Sequence, residues 1–153
     1  MFVDLTPEQH ALRHKVRDYF QALMTKDMRE QLRGKEGGEL YRQSGLGPES
    51  FQTAVIYDHF TPFVLPQLEE FGFVKRGEAK EFIRAGHHAR GGKLPINTHG
   101  GQLGEAYIHG MNGIAEAVRQ VRGTAVNQVA DVQNVLVTAG TGVPTSGLIL
   151  GAA

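Results

Sequence analysis

Cysteine is absent from this chain of 153 residues. Without a thiol the protein has no disulfide, no thiolate nucleophile and no cysteine-bound metal. Enzyme chemistry that depends on a cysteine nucleophile is therefore excluded.

The chain has no net charge, because 16 lysine and arginine residues balance 16 acidic residues. No basic run stands out, so we expect no nucleic-acid partner. No apolar stretch approaches the roughly 18 residues that a membrane-spanning helix needs, and the first residues lack the basic and apolar regions of a signal peptide. These features predict a cytoplasmic protein without a membrane span.

Residues 1–44 predict a helical appendage. The run Thr6–Gln9 supplies an N-cap threonine, a proline in the first turn and a capping-box glutamine. Apolar residues then recur at helical spacing, at Leu12, Val16, Phe20 and Leu23. A second short helix is expected over about 27–33, before glycines at 34, 37 and 38 interrupt the pattern.

Residues 45–153 predict one α/β domain in which a mixed sheet packs against helices. The pattern favours strands over about 51–57, 134–139 and 145–150 and helices over about 61–71, 78–84 and 103–121. The inner face of the first helix would carry Phe63, Leu65, Leu68 and Phe71, and that of the last Ile108, Met111, Ala115 and Val118.

A glycine-rich loop precedes the last of these helices, within the run L-P-I-N-T-H-G-G-Q-L-G-E-A-Y-I-H-G-M-N-G at 94–113. Gly100, Gly101 and Gly104 allow a ligand to approach the backbone closely. The helix that they lead into offers unpaired N–H groups to negative charge. The pattern therefore predicts a site for a thioester or enolate oxygen.

Three separated blocks carry a family resemblance. They are A-V-I-Y-D-H-F at 54–60, N-T-H-G-G followed by A-Y-I-H-G within 97–110, and V-T-A-G-T-G at 137–142. In order and spacing they resemble the N-E-A-F, N-x-x-G-G with G-H-P-x-G, and C-x-G-G-G-x-G motifs of the C-terminal half of the thiolase superfamily. Over about 45–151 the chain is similar to the lipid-transfer-protein-like branch that includes steroid side-chain aldolases, which implies a thiolase-like half-domain. Residues 1–42 instead resemble the N-terminus of an acyl-CoA dehydrogenase, without that family's flavin-binding or catalytic positions.

Two tyrosines take the places of polar thiolase residues in this resemblance. Tyr57 replaces the asparagine of N-E-A-F, and Tyr107 replaces the histidine of G-H-P. The resemblance implies that they are acid and base in retro-aldol cleavage of a steroid 3-hydroxyacyl-CoA, with no cofactor besides the acyl-CoA substrate. A phenol has an ordinary pKa of about 10, so one of them is a base only if its anion is stabilised. Residue type alone favours the alternative that Tyr57 is a strand-end core aromatic and Tyr107 a helix packing residue.

Further candidates would bind substrate or stabilise an oxyanion: Asn97, His99, Gly100, Gly101, His109, Gly140 and Gly142. His99 and His109 either donate to a thioester oxygen or hold the loop by bonding backbone carbonyls, and the second alternative is favoured for each taken singly. The Gly140–Gly142 turn forms a second oxyanion site or is a plain hairpin turn. Metal binding by His87 and His88 with His99 is the weaker alternative, because neighbouring histidines in a loop with Arg84 and Arg90 more often form a solvated surface. No metal site is therefore expected.

Two classes of function remain open. The first is the aldolase half-domain; the second is a non-catalytic lipid-transfer or protein-interaction module that keeps the thiolase half-fold. A thiolase resembles a pair of similar halves with substrate between them, and the N-terminal half is absent from this sequence. We therefore expect an exposed apolar face and either a homo-oligomer or a partner subunit. The resemblance implies a partner with an oligonucleotide-type barrel that helps to bind the acyl-CoA.

Overall fold

The computed structural model describes residues 6–23, 38–139 and 146–152. The chain divides into two compact units, residues 1–35 and 36–153. No helix in the described ranges is long and apolar enough to cross a membrane.

The first unit contains helix α1 (Pro7–Leu23). Its N-terminus has the predicted capping box: the backbone N–H of Gln9 donates to Thr6 Oγ1 at 3.3 Å, and the Thr6 N–H donates to Gln9 Oε1 at 2.9 Å. This reciprocal pair satisfies two amides that a helix start otherwise leaves free. The second predicted helix, over about 27–33, lies outside the described residues.

The second unit is a three-stranded sheet with helices packed against it. Its helices are α2 (Gly38–Ser44), α3 (Val64–Glu70), α4 (Ala79–Arg84), α5 (Gly101–Gly104) and α6 (Met111–Val121). Its strands are β1 (Thr53–Val55), β2 (Asn134–Ala139) and β3 (Ser146–Gly151), and short 3₁₀ turns cover Pro48–Ser50 and Thr61–Phe63. Helix α2, which the sequence analysis grouped with the appendage, belongs to this unit.

The sheet is mixed, as predicted. Strand β1 runs parallel to β2 with Ala54 opposite Leu136, and β2 runs antiparallel to β3 with Leu136 opposite Ile149. Beyond β1, Ala54 forms an isolated parallel bridge with Ile96. This bridge brings the glycine-rich loop to the edge of β1.

Each face of the sheet has its own core, because neighbouring strand residues point to opposite faces. On one face Ala54 and Leu136 pack with Leu68 and Phe71 at the end of α3. On the other face a second cluster gathers Val55, Ala117, Val132, Val135 and Val137. Burial of β1 on both faces explains why its sequence, T-A-V, is not an alternation of apolar and polar residues.

The predicted helix over 103–121 is wrong in extent, because the chain forms two helices separated by residues 105–110. His109 and Gly110 have φ values of 44° and 85°, in the left-handed region that interrupts a right-handed helix. Tyr107 and His109 therefore lie in a connecting segment and not on a helix.

The predicted inner face of α6 is also wrong. Met111 is 58% exposed. The buried residues of the helix are Asn112, Gly113, Glu116, Ala117 and Gln120. Gly113 explains why a different face of the helix is buried. A Cβ at this position would lie 2.8 Å from Val55 Cγ1, so only glycine lets the helix approach β1 so closely.

Candidate active site

Tyr57 and Tyr107 meet at the carboxyl end of β1. Their hydroxyl oxygens lie 2.7 Å apart, within hydrogen-bond distance, and either one can be the donor. The residues are 50 positions apart in the sequence. Tyr107 is 48% exposed and so is not a buried packing residue. The contact meets the geometric requirement that two phenols serving one substrate must lie within reach of each other.

Two buried polar residues hold the backbone of Tyr57. Its N–H donates to Thr138 Oγ1 at 3.0 Å, and its carbonyl accepts from Gln67 Nε2 at 2.8 Å. Thr138 in turn donates to Gln67 Oε1 at 2.6 Å, which closes the network. Because Thr138 and Gln67 are almost fully buried, these bonds are shielded from water. Neither residue was predicted from the sequence, although a glutamine beside Leu68 on an apolar helix face was a signal.

Gly110 allows the backbone near Tyr107 to pack against the ring of Tyr57. A Cβ on Gly110 would lie 3.5 Å from Tyr57 Cε2, so this backbone packs directly on the phenol ring. The positive φ of Gly110 also favours glycine. The turn thus brings the segment that contains Tyr107 to the ring of Tyr57.

Asp58 occupies part of the helix start that the sequence analysis assigned to a ligand. Its Oδ1 accepts the backbone N–H of Gln102 at 2.9 Å. A Cβ on Gly101 would overlap the Asp58 carboxylate, and the φ of Gly101 is 73°. The Gln102 amide is therefore not free for substrate, and Gly101 is needed to admit Asp58.

Asn97 ties the glycine-rich loop to the end of β1. Its Oδ1 accepts from the Ile56 N–H at 2.8 Å, and its Nδ2 donates to the Ile56 carbonyl at 2.9 Å. The side chain thus pairs with the backbone as a neighbouring strand would. Gly100, with a φ of 102°, donates its N–H to the Asn97 carbonyl and closes the turn. These contacts give both residues a part in holding the loop.

Two histidine rings pack at a tilt against the two tyrosine rings. The ring centroids of Tyr57 and His59 lie 4.7 Å apart, and those of Tyr107 and His109 lie 4.8 Å apart. Both ring nitrogens of His59 and of His99 are buried and have no hydrogen-bond partner among the described residues. Hence the alternative that His99 holds the loop by bonding backbone carbonyls finds no support in this part of the chain. Unpaired buried nitrogens beside a site are candidates for hydrogen bonds to substrate.

The hydrogen bond with Tyr107 raises the pKa of Tyr57 to about 12, and burial and the nearby negative charge of Asp58 act in the same direction. A raised pKa favours the protonated form of a phenol, so Tyr57 is suited to donate a proton. The pair can therefore supply one proton donor and one acceptor.

An apolar rim adjoins the tyrosines. Of the large apolar side chains that are more than half exposed, four lie within four residues of Tyr57 or Tyr107 in the sequence: Phe60, Leu103, Ile108 and Met111. Ile108 follows Tyr107 directly, and the ring of Phe60 lies 4.9 Å from that of His59, centroid to centroid. An exposed apolar patch of this kind marks a surface for an apolar ligand or another protein.

The remaining features lie away from the tyrosines or outside the described residues. A cleft of about 950 Å³ is lined by Phe51, Phe73, Phe82 and His87 among others, and neither Tyr57 nor Tyr107 lines it. The Gly140–Gly142 turn lies outside the described residues. Within residues 6–23, 38–139 and 146–152, no group of three or more histidine, aspartate or glutamate residues is placed to hold a metal ion.

Residues 17–151 match the family described as thiolase C-terminal domain-like. The chain belongs to this family. Its membership confirms the predicted thiolase-like α/β fold with a mixed sheet.

Two close relatives are named as an aldolase and a lyase. The chain is 67% identical over 139 residues to a steroid side-chain-cleaving aldolase of Thermomonospora curvata, which covers 88% of this chain and 36% of that protein. It is 73% identical over 118 residues to the 17-hydroxy-3-oxo-4-pregnene-20-carboxyl-CoA lyase of Mycobacterium tuberculosis, covering 77% of this chain and 31% of that one. The chain thus spans about one third of the length of these curated relatives.

A solved structure has the same fold. The chain matches the Ltp2-ChsH2(DUF35) aldolase with a TM-score of 0.73 and 74% sequence identity, over 78% of this chain and 31% of that chain. At this identity the likeness extends to sequence as well as to fold.

Proposed function

We propose that this chain provides the thiolase-type C-terminal half of an aldolase that cleaves a steroid 3-hydroxyacyl-CoA by a retro-aldol reaction. The observation that carries the proposal is the 2.7 Å contact between the hydroxyls of Tyr57 and Tyr107. The names of the relatives in Thermomonospora curvata and Mycobacterium tuberculosis support the same reaction.

The proposed reaction needs only proton transfers from the protein. Tyr107, as its anion, takes the proton of the substrate's 3-hydroxyl group. The carbon–oxygen double bond of a ketone forms as the Cα–Cβ bond breaks, and the electron pair of that bond becomes the enolate of the shortened acyl-CoA. Tyr57, whose pKa is raised to about 12, then donates its proton to Cα.

Direct contact between the two hydroxyls closes the proposed cycle. After turnover Tyr107 holds a proton and Tyr57 lacks one. Because their oxygens are 2.7 Å apart, one proton can pass directly from Tyr107 to Tyr57 and restore the starting state. The bond thus serves both to stabilise the base and to recycle the proton.

Stabilisation of the enolate oxygen is assigned to the histidines of the glycine-rich loop. An unpaired ring N–H of His99 is a suitable donor, and the ring of His109 packs against that of Tyr107. The turn of Gly140–Gly142 remains a predicted second source of backbone N–H groups. No cofactor besides the acyl-CoA substrate is proposed.

A partner surface is expected at the apolar rim. The chain spans about one third of its relatives, and three residues within four positions of Tyr107 in the sequence are exposed: Leu103, Ile108 and Met111. We propose that a partner with an oligonucleotide-type barrel, or a second copy of the chain, completes the substrate cleft. The solved relative carries a second component, ChsH2(DUF35), in its name, which supports a partner protein over a second copy.

The same exposed rim favours the alternative that the chain is a non-catalytic lipid-transfer or protein-interaction module. A cytoplasmic location and the likeness of residues 1–42 to an acyl-CoA dehydrogenase N-terminus stay predictions. Turnover separates the catalytic proposal from this alternative.

The test compares the chain alone with a chimera. In the chimera, residues of this chain replace the matching residues of the Mycobacterium tuberculosis lyase, and the chimera is assayed with the ChsH2-type partner. Ketone release from a 3-hydroxyacyl-CoA should be weak or absent for the chain alone and present for the chimera. Tyr57→Phe and Tyr107→Phe should each reduce turnover by roughly 10²-fold or more, the usual loss for a general acid or base.

The matched control is Tyr41→Phe. Tyr41 is a buried residue outside the site, and the substitution removes only the hydroxyl that donates to the Phe71 carbonyl. It should lower stability and leave turnover per folded enzyme unchanged. Full turnover in the folded Tyr57 and Tyr107 variants would refute the catalytic proposal and favour the interaction module.

A further inference from the structure

Glu116 is a buried charged residue that the proposed reaction does not use. It lies on the inner face of α6 and is 3% exposed. Its Oε1 accepts the hydroxyl of Thr98 at 2.5 Å and the side-chain N–H of Gln120 at 3.0 Å, and its Oε2 lies 3.6 Å from Arg119 Nη1. Burial of a carboxylate is costly unless such partners replace its hydration. The placement of this charge therefore needs an explanation.

The first arm of this network holds the start of the glycine-rich loop. Besides the bond to Glu116, the Thr98 hydroxyl accepts from Gln120 Nε2 at 2.9 Å, and the Thr98 carbonyl accepts from Asn127 Nδ2 at 2.7 Å. Gln120 is fixed in turn, because its Oε1 accepts the Val129 N–H at 3.0 Å. Thr98 is thus held through both its side chain and its backbone.

The second arm reaches the other end of the same segment. Arg119 Nη1, which pairs with Glu116, also donates to Glu105 Oε1 at 3.2 Å. Glu105 stands two residues before Tyr107. Because the side chains of Arg119 and Glu105 are 44% and 33% exposed, solvent weakens this pair. The bond between Thr98 and the buried Glu116 is therefore the stronger attachment.

Segment 98–105 is therefore attached at three points. Thr98 and Glu105 are tied to α6 through Glu116 and Arg119, and Gln102 is tied to Asp58 beside Tyr57. Tyr107 lies two residues beyond this segment. Where the segment lies determines whether the Tyr107 hydroxyl can reach Tyr57.

We propose that Glu116 is a positioning residue: by fixing segment 98–105 it keeps the Tyr107 hydroxyl in contact with that of Tyr57. The effect of Glu116 on the contact between the two tyrosines does not depend on any assigned reaction. Its effect on turnover rests on the proposed function. Glu116 does not touch the phenols and takes no part in proton transfer.

The structural test measures the contact between the rings of Tyr57 and Tyr107 by NMR in the 153-residue chain with labelled tyrosine, with signals assigned by Tyr57→Phe and Tyr107→Phe. Glu116→Ala should abolish the cross-peaks between the two rings. Glu116→Gln should retain them, because the amide oxygen still accepts the Thr98 hydroxyl. Thr98→Val, which removes only the hydroxyl arm, should weaken them and provides the test if Glu116→Ala does not fold.

The matched control is Glu81→Ala. Glu81 also forms an i,i+3 pair with an arginine, Arg84, but this pair is exposed and belongs to α4. Cross-peaks that survive in both folded Glu116→Ala and folded Thr98→Val would overturn the proposal, and so would their equal loss in Glu81→Ala.

The catalytic test uses the chimera with its partner. Glu116→Ala should lower kcat by roughly 10²-fold, the scale of a 1 Å misplacement, with KM changed less than about twofold. Glu116→Gln should recover most of the loss. A rise in KM with kcat unchanged would refute positioning of the phenols. If Tyr57→Phe leaves turnover intact, the proposed function fails, whereas the NMR contact still decides the role of Glu116.

Discussion

Replacing Gly101 by alanine should destabilise the second unit much more than an added methyl group normally does. The φ of Gly101 is 73°, where an alanine costs about 1–2 kcal/mol. The new Cβ would also overlap the Asp58 carboxylate and displace it from the Gln102 N–H, a bond to a charged group worth about 1.5–3 kcal/mol. Together these effects predict a loss of about 2.5–5 kcal/mol in the free energy of unfolding. Urea unfolding followed by circular dichroism measures it.

Gly91→Ala is the control for backbone strain alone. Gly91 has a φ of 83°, but no atom lies within 4 Å of the position its Cβ would take. This variant should lose only about 1–2 kcal/mol. Combining Gly101→Ala with Asp58→Ala should cost less than the sum of the two single changes, because both remove the same bond. Equal losses in Gly101→Ala and Gly91→Ala would refute the assignment of Gly101 to the Asp58 carboxylate.

Two further predictions concern the tyrosine pair and helix α6. The pKa of Tyr57 is about 12 in the folded chain against 10.0 for a free phenol, so its contribution to stability is complete below pH 10 and is lost as the pH rises toward 12. Tyr107→Phe should remove much of this loss, which unfolding measured between pH 9 and pH 12 in both proteins would detect. Gly113→Ala should lower the free energy of unfolding by about 1–2 kcal/mol through contact with Val55 Cγ1, and addition of Val55→Ala should be less than additive in a double-mutant cycle. Strictly additive losses would contradict that contact.

Local patterns in the sequence predicted the regular elements well. The capping box at Thr6, the strand over 134–139 and the helix that ends at Arg84 all appear in the structure. Each depends on interactions between near neighbours in the chain, or on burial that leaves a clear apolar pattern. The mixed sheet was predictable because strands alternated with helices and ended in a strand pair.

The errors have a common physical cause, which is packing between distant parts of the chain. Periodicity extended the last helix back to Leu103, but left-handed backbone at His109 and Gly110 divides it. Periodicity also placed Met111 inside. The close approach of Gly113 to Val55 instead turns a polar face inward. Neither the partner of a glycine nor the sign of φ at a histidine can be read from local spacing.

The wrong assignment of the inner face of α6 concealed part of the site. Asn112, Glu116 and Gln120 recur every four residues and are all buried, so the inner face of α6 is a polar stripe. Two of these residues bond Thr98 in the loop that leads to Tyr107. A polar stripe at helical spacing therefore marked the helix face that supports the loop, and only the structure shows what it binds.

The same logic accounts for a thiolase-type fold without cysteine. Carbon–carbon bond formation or cleavage through an acyl-enzyme requires a covalent nucleophile. Retro-aldol cleavage requires none, because the bond breaks once the hydroxyl proton is removed and an enolate is accommodated. Two phenols whose oxygens are 2.7 Å apart meet that smaller requirement, since one can donate a proton while the other accepts one. The absence of cysteine and the presence of the tyrosine pair are thus two aspects of one chemical substitution in the proposed enzyme.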